Sequence, residues 1–137
     1  MRIFFDTNVV LDILMRREPF FLNSARVAYL CESGEHVGGL TTLSACNIAY
    51  ALRKQLGLKQ TVCVLRSLFT IIEPIATSVQ SLRQSLTNPS VDFEVTIQAK
   101  CASEWNADVI ITRDKTGFAD AETPVLSPRE FLEHPTL

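Results

Sequence analysis

Short apolar runs alternate with helical patterns along the whole chain. Residues 3–5 are a short continuous apolar run, which is typical of a strand buried on both faces, and residues 108–112 (DVIIT) predict the clearest buried strand in the chain. Three further strands are predicted at residues 37–40, 70–75 and 124–126. No repeat, linker or low-complexity tract interrupts this alternation. The 137 residues therefore predict one domain that covers residues 1–137.

Apolar positions at helical spacing predict the helices that separate these strands, and Pro19, Gly34 and Gly57 end the first three. The predicted helices cover residues 8–15, 21–32, 42–55, 59–68, 77–86 and 92–105, and a last one begins at Pro128. Thr42 is the predicted N-cap of the third. Strands separated by helices predict an α/β fold with a parallel sheet and helices on both faces. Ligands of such sheets bind beyond the carboxyl ends of the strands, where the strand order reverses.

Composition and charge narrow the functional classes. The net charge of −2 lacks the strongly basic character of a dedicated nucleic-acid binder, so an RNA substrate would need local basic groups, a metal or a partner chain. Cys31, Cys46, Cys63 and Cys101 show no CxxC spacing, and their apolar helical surroundings predict buried, reduced thiols. Without a signal peptide or an apolar run of membrane-spanning length, we expect a soluble cytoplasmic protein that does not enter a membrane.

Several acids fall where chemistry is expected. Asp6 directly follows the first strand, and Asp114 comes two residues after the DVIIT strand. If these strands are neighbours, both carboxylates point into one crevice. Asp92 begins a helix with Glu94 beside it, and Asp12 lies on the first helix. Converging acids without Cys or His favour Mg²⁺ or Mn²⁺, and such a site points to phosphodiester hydrolysis.

Each acid also has a purely structural interpretation. An Asp after a strand is often a turn former or an N-cap, and Asp92 at a helix start is an obvious cap. Asp12 alone is better explained as a solvated or capping group. Only the joint placement of these acids at one sheet edge favours a site.

The stretches that carry a resemblance cover nearly the whole chain: FFDTNVVLDIL, TTLSACNIAYALRK, DFEVTIQAKCASEWNADVIITRDKTGF and TPVLSPREFL. Together they resemble PIN domains, the fold of VapC-type toxin ribonucleases, and in particular a bacterial subgroup with a DFED-type helix start. The resemblance implies a three-layer α/β/α sandwich with a mainly parallel five-stranded sheet, and three or four acids around one or two divalent ions. It also implies a homodimer and, for toxin members, an antitoxin that covers the site.

Matched position by position, Asp6 corresponds to the first acid of the family and Asp114 to the acid after the T-x-D strand end. Thr112 lies beside that acid, and Asn8 matches the polar residue after Asp-Thr. The resemblance therefore predicts that Asp6 and Asp114 bind the metal, with Thr112 and Asn8 in auxiliary roles.

Three positions depart from this pattern. Asn47 stands where most members carry Glu, Val95 stands where the last Asp of DFED would be, and Gly117 replaces the usual Asp before Phe118. We expect Asp92, three residues before Val95 on about the same helix face, to substitute in part as a catalytic metal ligand. Glu94 points about 100° away from Val95 and is an auxiliary candidate, as is Asn47. Fewer negative ligands predict weaker metal binding.

Basic residues near these acids are candidates for RNA contacts. Arg113 and Lys115 flank Asp114 and are the best placed. The remaining candidates are Arg16, Arg17, Arg53 and Lys54. Three aromatic residues could serve a dimer or antitoxin surface, although core packing is favoured for them: Phe20, Phe21 and Tyr29.

The first hypothesis is a metal-dependent endoribonuclease, a toxin-like member of the family. The second is a PIN fold retained as a binding or regulatory module with little catalysis, which Asn47 and Val95 favour. The third is another carboxylate–Mg²⁺ enzyme such as a phosphatase, although Asn8 stands where the DxDx(T/V) signature has its second Asp.

Overall fold

Five parallel strands form the centre of the fold. In the computed structural model, which describes residues 1–134, their order across the sheet is β3-β2-β1-β4-β5. All four neighbouring pairs are parallel, so the predicted mainly parallel sheet is confirmed and is parallel throughout. The strands are β1 (Arg2–Phe5), β2 (Val37–Thr41), β3 (Ile72–Ile75), β4 (Val109–Ile111) and β5 (Val125–Leu126).

Helices connect these strands near the predicted positions. They are α1 (Thr7–Leu14), α2 (Phe21–Glu32), α3 (Thr42–Leu68), α4 (Val79–Thr87), α5 (Phe93–Glu104) and α6 (Pro128–Glu133). The two helices predicted around Gly57 form one element with a kink at that glycine, whose φ of 73° is left-handed. Thr41 rather than Thr42 is the N-cap of α3, because its hydroxyl accepts a hydrogen bond from Ser44 N.

The helices cover both faces of the sheet, as the three-layer architecture requires. Ile3 and Phe5 point into a core shared with α1, α2, α3 and α6, whereas Phe4 points into a second core shared with α5. This alternation along β1 follows from the two-residue period of a strand. α4 packs outside on α5, so each central strand is buried on both sides.

Some surface predictions were wrong. Cys46 and Cys63 are exposed, whereas Cys31 and Cys101 are buried as expected. Tyr29 is 63% exposed and Phe20 is 38% exposed, so neither is a core residue. Helical spacing predicts which residues share a face, but not whether a neighbouring element covers that face. No helix within residues 1–134 is long and apolar enough to cross a membrane.

The strand order places a switch point between β1 and β4. The chain moves from β1 outward through β2 and β3, and then returns to the other side of β1 with β4 and β5. The register pairs Phe5 with Ile111, so the residues that follow these strands, Asp6 and Thr112, emerge side by side. A ligand crevice is expected at this edge.

Candidate functional site

Asp6 lies at the centre of the switch-point edge. Its backbone N–H donates to the carbonyl of Ile111 at 3.0 Å, which extends the pairing of β1 with β4 by one bond. Its carboxylate is only 3% exposed, and Oδ2 accepts a hydrogen bond of 2.7 Å from the Thr112 hydroxyl. Asp6 occupies the N-cap position of α1, but its side chain makes no capping hydrogen bond. The Asn8 backbone N–H also lies near this carboxylate and lowers its pKa, so Asp6 lies between the first turn of α1 and Thr112 at the end of β4.

The electrostatic environment of Asp6 disfavours its charged form. Burial is the largest influence and raises the pKa of Asp6, and the negative charge of Glu94 raises that pKa further. Hydrogen bonds from Thr112 and from the Gln98 amide act in the opposite direction and lower it. A cation placed between the carboxylates of Asp6 and Glu94 would offset both the cost of burial and the repulsion between the two negative charges.

Glu94 reaches this edge through Thr7. The Thr7 hydroxyl lies 2.9 Å from Glu94 Oε1 and 2.7 Å from the Ser44 hydroxyl, and its single proton can be donated to one of them at a time. Thr41 donates to the same Ser44 oxygen at 2.9 Å. The starts of α1, α3 and α5 are thereby joined next to Asp6.

Asp114 is linked to Asp6 through Thr112. The Thr112 hydroxyl, which donates to Asp6, accepts from the backbone N–H of Asp114 at 2.9 Å. The Asp114 carboxylate is exposed and turns back on its own loop, where Oδ1 accepts from Gly117 N at 2.9 Å. A Cβ at position 117 would overlap this carboxylate, so the glycine is what permits the turn. The two predicted acids thus share one edge, with Asp114 oriented by its loop.

Asp92 has a capping role in this structure. Its Oδ1 accepts hydrogen bonds from the backbone N–H groups of Glu94 at 3.0 Å and Val95 at 3.4 Å, at the start of α5. Val95 is buried in the second core. Asp92 was expected to compensate for the missing charge at position 95. The acid of α5 that lies near Asp6 is instead Glu94, which contacts the Thr7 hydroxyl.

The two asparagines lie on the helices that border the crevice. Asn8 is exposed on the first turn of α1. Asn47 is half-buried on α3, three residues after Ser44 and therefore on about the same helix face. This places an amide, rather than a carboxylate, one turn beyond the Ser44 hydroxyl.

The two best-placed candidates for RNA contacts are engaged within the protein. Arg113 donates from Nε to Asp12 Oδ2 at 2.6 Å and from a terminal nitrogen to Oδ1 at 3.1 Å, and it stacks over Phe20 at 3.9 Å. Lys115 pairs with Glu130 at 2.9 Å. Asp12 is fully buried, so its interpretation as a solvated or capping group was wrong.

Gln98, Thr7 and Ser44 are polar residues of the site that the sequence analysis missed. Gln98 is 1% exposed, and its Oε1 accepts from Thr7 N at 3.3 Å while its amide lies next to Asp6. The signal was present, because Glu94 and Gln98 are four residues apart and share one face of α5. Thr7 and Ser44 lie in the first turns of helices, where hydroxyl residues are expected as caps. Their positions in the sequence therefore do not indicate the hydrogen bonds that they form beside Asp6 and Glu94.

The donors at this edge suit a hard divalent ion. Carboxylate, hydroxyl and amide oxygens are the ligands that Mg²⁺ and Mn²⁺ prefer. None of the ion pairs within residues 1–134 involves Asp6, Glu94 or Asp114. In the same range, no three Asp, Glu, His or Cys side chains converge closely enough to hold a metal. The edge therefore has the right chemistry, but its third carboxylate is turned away.

Comparison with known proteins agrees with this architecture. The family model described as "PIN domain" matches residues 2–116. VapBC-1 from nontypeable Haemophilus influenzae is similar in structure, with a TM-score of 0.70, 15% identity and coverage of 94% of this chain and 99% of that one. VapBC2 from Rickettsia felis, bound to a promoter DNA fragment, gives a TM-score of 0.67, 15% identity and coverage of 93% and 98%. FitAcB from Neisseria gonorrhoeae gives 0.60, 19% identity and coverage of 93% and 98%.

No curated protein matches the sequence. The structural likeness, at identities below a fifth, shows the fold. The family match extends from β1 to Thr116, and so includes Asp6, Glu94 and Asp114. This chain belongs to the PIN domain family.

Proposed function

We propose that the protein is a divalent-metal-dependent endoribonuclease that acts as the toxin of a toxin–antitoxin pair. The observation that carries the proposal is the buried Asp6 carboxylate at the switch point, which lies near the negative charge of Glu94 and forms no ion pair within residues 1–134. Buried charges are normally paired or bound to metals. A buried acid next to a second acid is expected where a cation completes the site.

Asp6, Glu94 and Asp114 would hold Mg²⁺ or Mn²⁺, and Asp92 would join them only by releasing the backbone of α5. When bound, the ion supplies the positive charge that activates water and offsets charge on the phosphate. Thr112 fixes the orientation of Asp6, and Thr7 fixes that of Glu94. Asp114 must leave Gly117 to contribute its charge, so weak metal binding is expected.

The proposed partners are RNA as the substrate, an antitoxin and a second copy of the chain. The similar structures described above are named VapBC-1, VapBC2 and FitAcB, and VapBC2 is bound to a promoter DNA fragment. These assemblies support an antitoxin partner for a chain of the same fold. Arg113 and Lys115 are paired with Asp12 and Glu130, and they would contact RNA through N–H groups that these carboxylates do not use.

The test is cleavage of a pool of tRNA and single-stranded RNA by antitoxin-free protein, with Mn²⁺ and then Mg²⁺. We expect metal-dependent cuts that Asp6→Asn and Glu94→Gln abolish and that Glu32→Gln, an exposed acid at the end of α2, leaves unchanged. Circular dichroism checks that each variant is folded. Cleavage that continues without metal or in Asp6→Asn would refute the proposed site.

A second candidate is a PIN-fold binding module without catalysis. It is favoured by the buried Val95 and by the lack of three converging acids in the described part of the chain. Calorimetric titration with Mn²⁺ separates the two functions. Binding that depends on Asp6 supports the nuclease, whereas folded protein without metal affinity or cleavage leaves the binding module.

A further inference from the structure

A cavity of about 400 Å³ opens beside the candidate site, between α4, the start of α5 and the loop that follows Asp114. Its size is within the range of small-molecule sites in proteins. Gly117, whose N–H holds the Asp114 carboxylate, lies in its wall, and Val95 follows Glu94 directly. The cavity therefore borders the loop that orients the Asp114 carboxylate.

The lining combines an apolar floor with a polar rim. Val95, Ala99 and Phe118 supply the apolar part, and Gln84 and Asn88 bring amide groups from α4 and its end. A flat aromatic base fits such a combination, because its faces are apolar and its edges form hydrogen bonds.

The charges of the cavity disfavour a phosphate inside it. Among the lining residues that the structure describes, Lys100 is the single cation, whereas Asp120 and Glu122 are both acidic. The Ser103 hydroxyl donates to Glu122 Oε2 at 3.2 Å, which fixes this carboxylate at the rim. Carboxylates only accept hydrogen bonds, so they select ligand edges that carry N–H donors.

Two of the positions where the sequence departs from its resemblance line this one cavity. Val95 and Gly117 both stand where an acid was expected, and both are wall residues. Acids at these positions would place two further negative charges in the space. Val95 and Gly117 instead leave the cavity wider and give it an apolar wall.

We propose that this cavity binds an unpaired nucleobase of the RNA, with guanine as the best match. The guanine edge presents two adjacent N–H donors for a carboxylate and one carbonyl acceptor for Lys100. The inference rests on the proposed ribonuclease function and adds a base-specific subsite to it. A base held here would direct cleavage to the neighbouring phosphate.

The test measures nucleotide binding without metal and without cleavage. The full chain, labelled with ¹⁵N, is titrated with guanosine 5′-monophosphate, uridine 5′-monophosphate and inorganic phosphate. We expect the guanosine nucleotide to shift the amide signals of Ala99 and Phe118, and the other two to leave them in place. Glu122→Gln should weaken guanosine nucleotide binding about tenfold, since it loses a charged acceptor. Glu32→Gln should have no effect.

A second variant, Ala99→Phe, fills the cavity and should abolish nucleotide binding. If this variant does not fold, Glu122→Gln alone tests the proposal. Equal shifts with phosphate alone, equal affinity for uridine nucleotide, or no shift at millimolar concentration would each overturn the proposal. The outcome is separable from the nuclease test. Base binding without cleavage refutes only the proposed function, and cleavage without base binding refutes only this subsite.

Discussion

The buried pair between Asp12 and Arg113 should stabilise the fold far more than a surface ion pair does. Asp12 is fully buried, and Arg113 reaches it with two nitrogens at 2.6 and 3.1 Å. Breaking a fully buried pair costs about 3–5 kcal/mol. The Arg113 side chain is 31% exposed, so water can partly solvate its charge when Asp12 is neutral. We therefore expect Asp12→Asn to lower the free energy of unfolding by about 2–3 kcal/mol.

A double-mutant cycle measured by urea unfolding isolates the pair from other effects. Asp12→Asn, Arg113→Gln and their combination should give a coupling of about 2 kcal/mol, while the loss of Arg113 stacking on Phe20 cancels within the cycle. The matched control is Lys115 with Glu130, whose side chains are 51% and 41% exposed. That cycle should give about 0.2–1 kcal/mol. Equal couplings for the two pairs would refute the argument from burial.

Three further predictions follow from the site and its loop. Burial raises the pKa of Asp6, so ionisation of this carboxyl opposes folding. At pH 7 without metal, Asp6→Asn should therefore unfold at a higher urea concentration than wild type. This gain in stability should vanish below pH 4, where the Asp6 carboxyl is protonated in both states. The hydrogen bond from Lys115 lowers the pKa of Glu130 to about 2, so the free energy of unfolding should fall as the pH drops from 4.5 to 2. In acid titrations of Glu130→Gln, this part of the loss in stability should be absent. Gly117→Ala should displace the Asp114 carboxylate from its turn and tighten Mn²⁺ binding in calorimetry; unchanged affinity would show that the turn does not restrain this acid.

The sequence predicted the backbone placement of the site better than its side-chain contacts. Asp6 and Asp114 were placed at one edge because each follows an apolar strand, and the carboxyl ends of neighbouring parallel strands must meet there. The adjacency of β1 and β4 was the one condition, and the structure fulfils it. Such placement needs only local patterns, which a single sequence contains, and a general rule of parallel sheets.

The contacts that the sequence could not predict join residues far apart in the chain. Arg113 and Asp12 are 101 residues apart, and no local pattern distinguishes their buried pair from two solvated charges. Glu94 reaches Thr7 across 87 residues, and this contact depends on how α5 lies against α1. Helical periodicity gave the direction of Glu94 relative to Val95 but not the position of the helix itself.

Valine at position 95, where the resemblance predicts an acid, is coherent with the packing around it. Val95 shares the second core with Phe4, Ile110 and Phe118, so a carboxylate there would be desolvated unless a cation were bound. Valine stabilises this core with or without metal, whereas an acid would make folding depend on the ion. The remaining acids, Asp6 and Glu94, retain hydroxyl partners in the metal-free state, although burial still disfavours the charge of Asp6. A core with valine at this position therefore does not need a metal ion to fold.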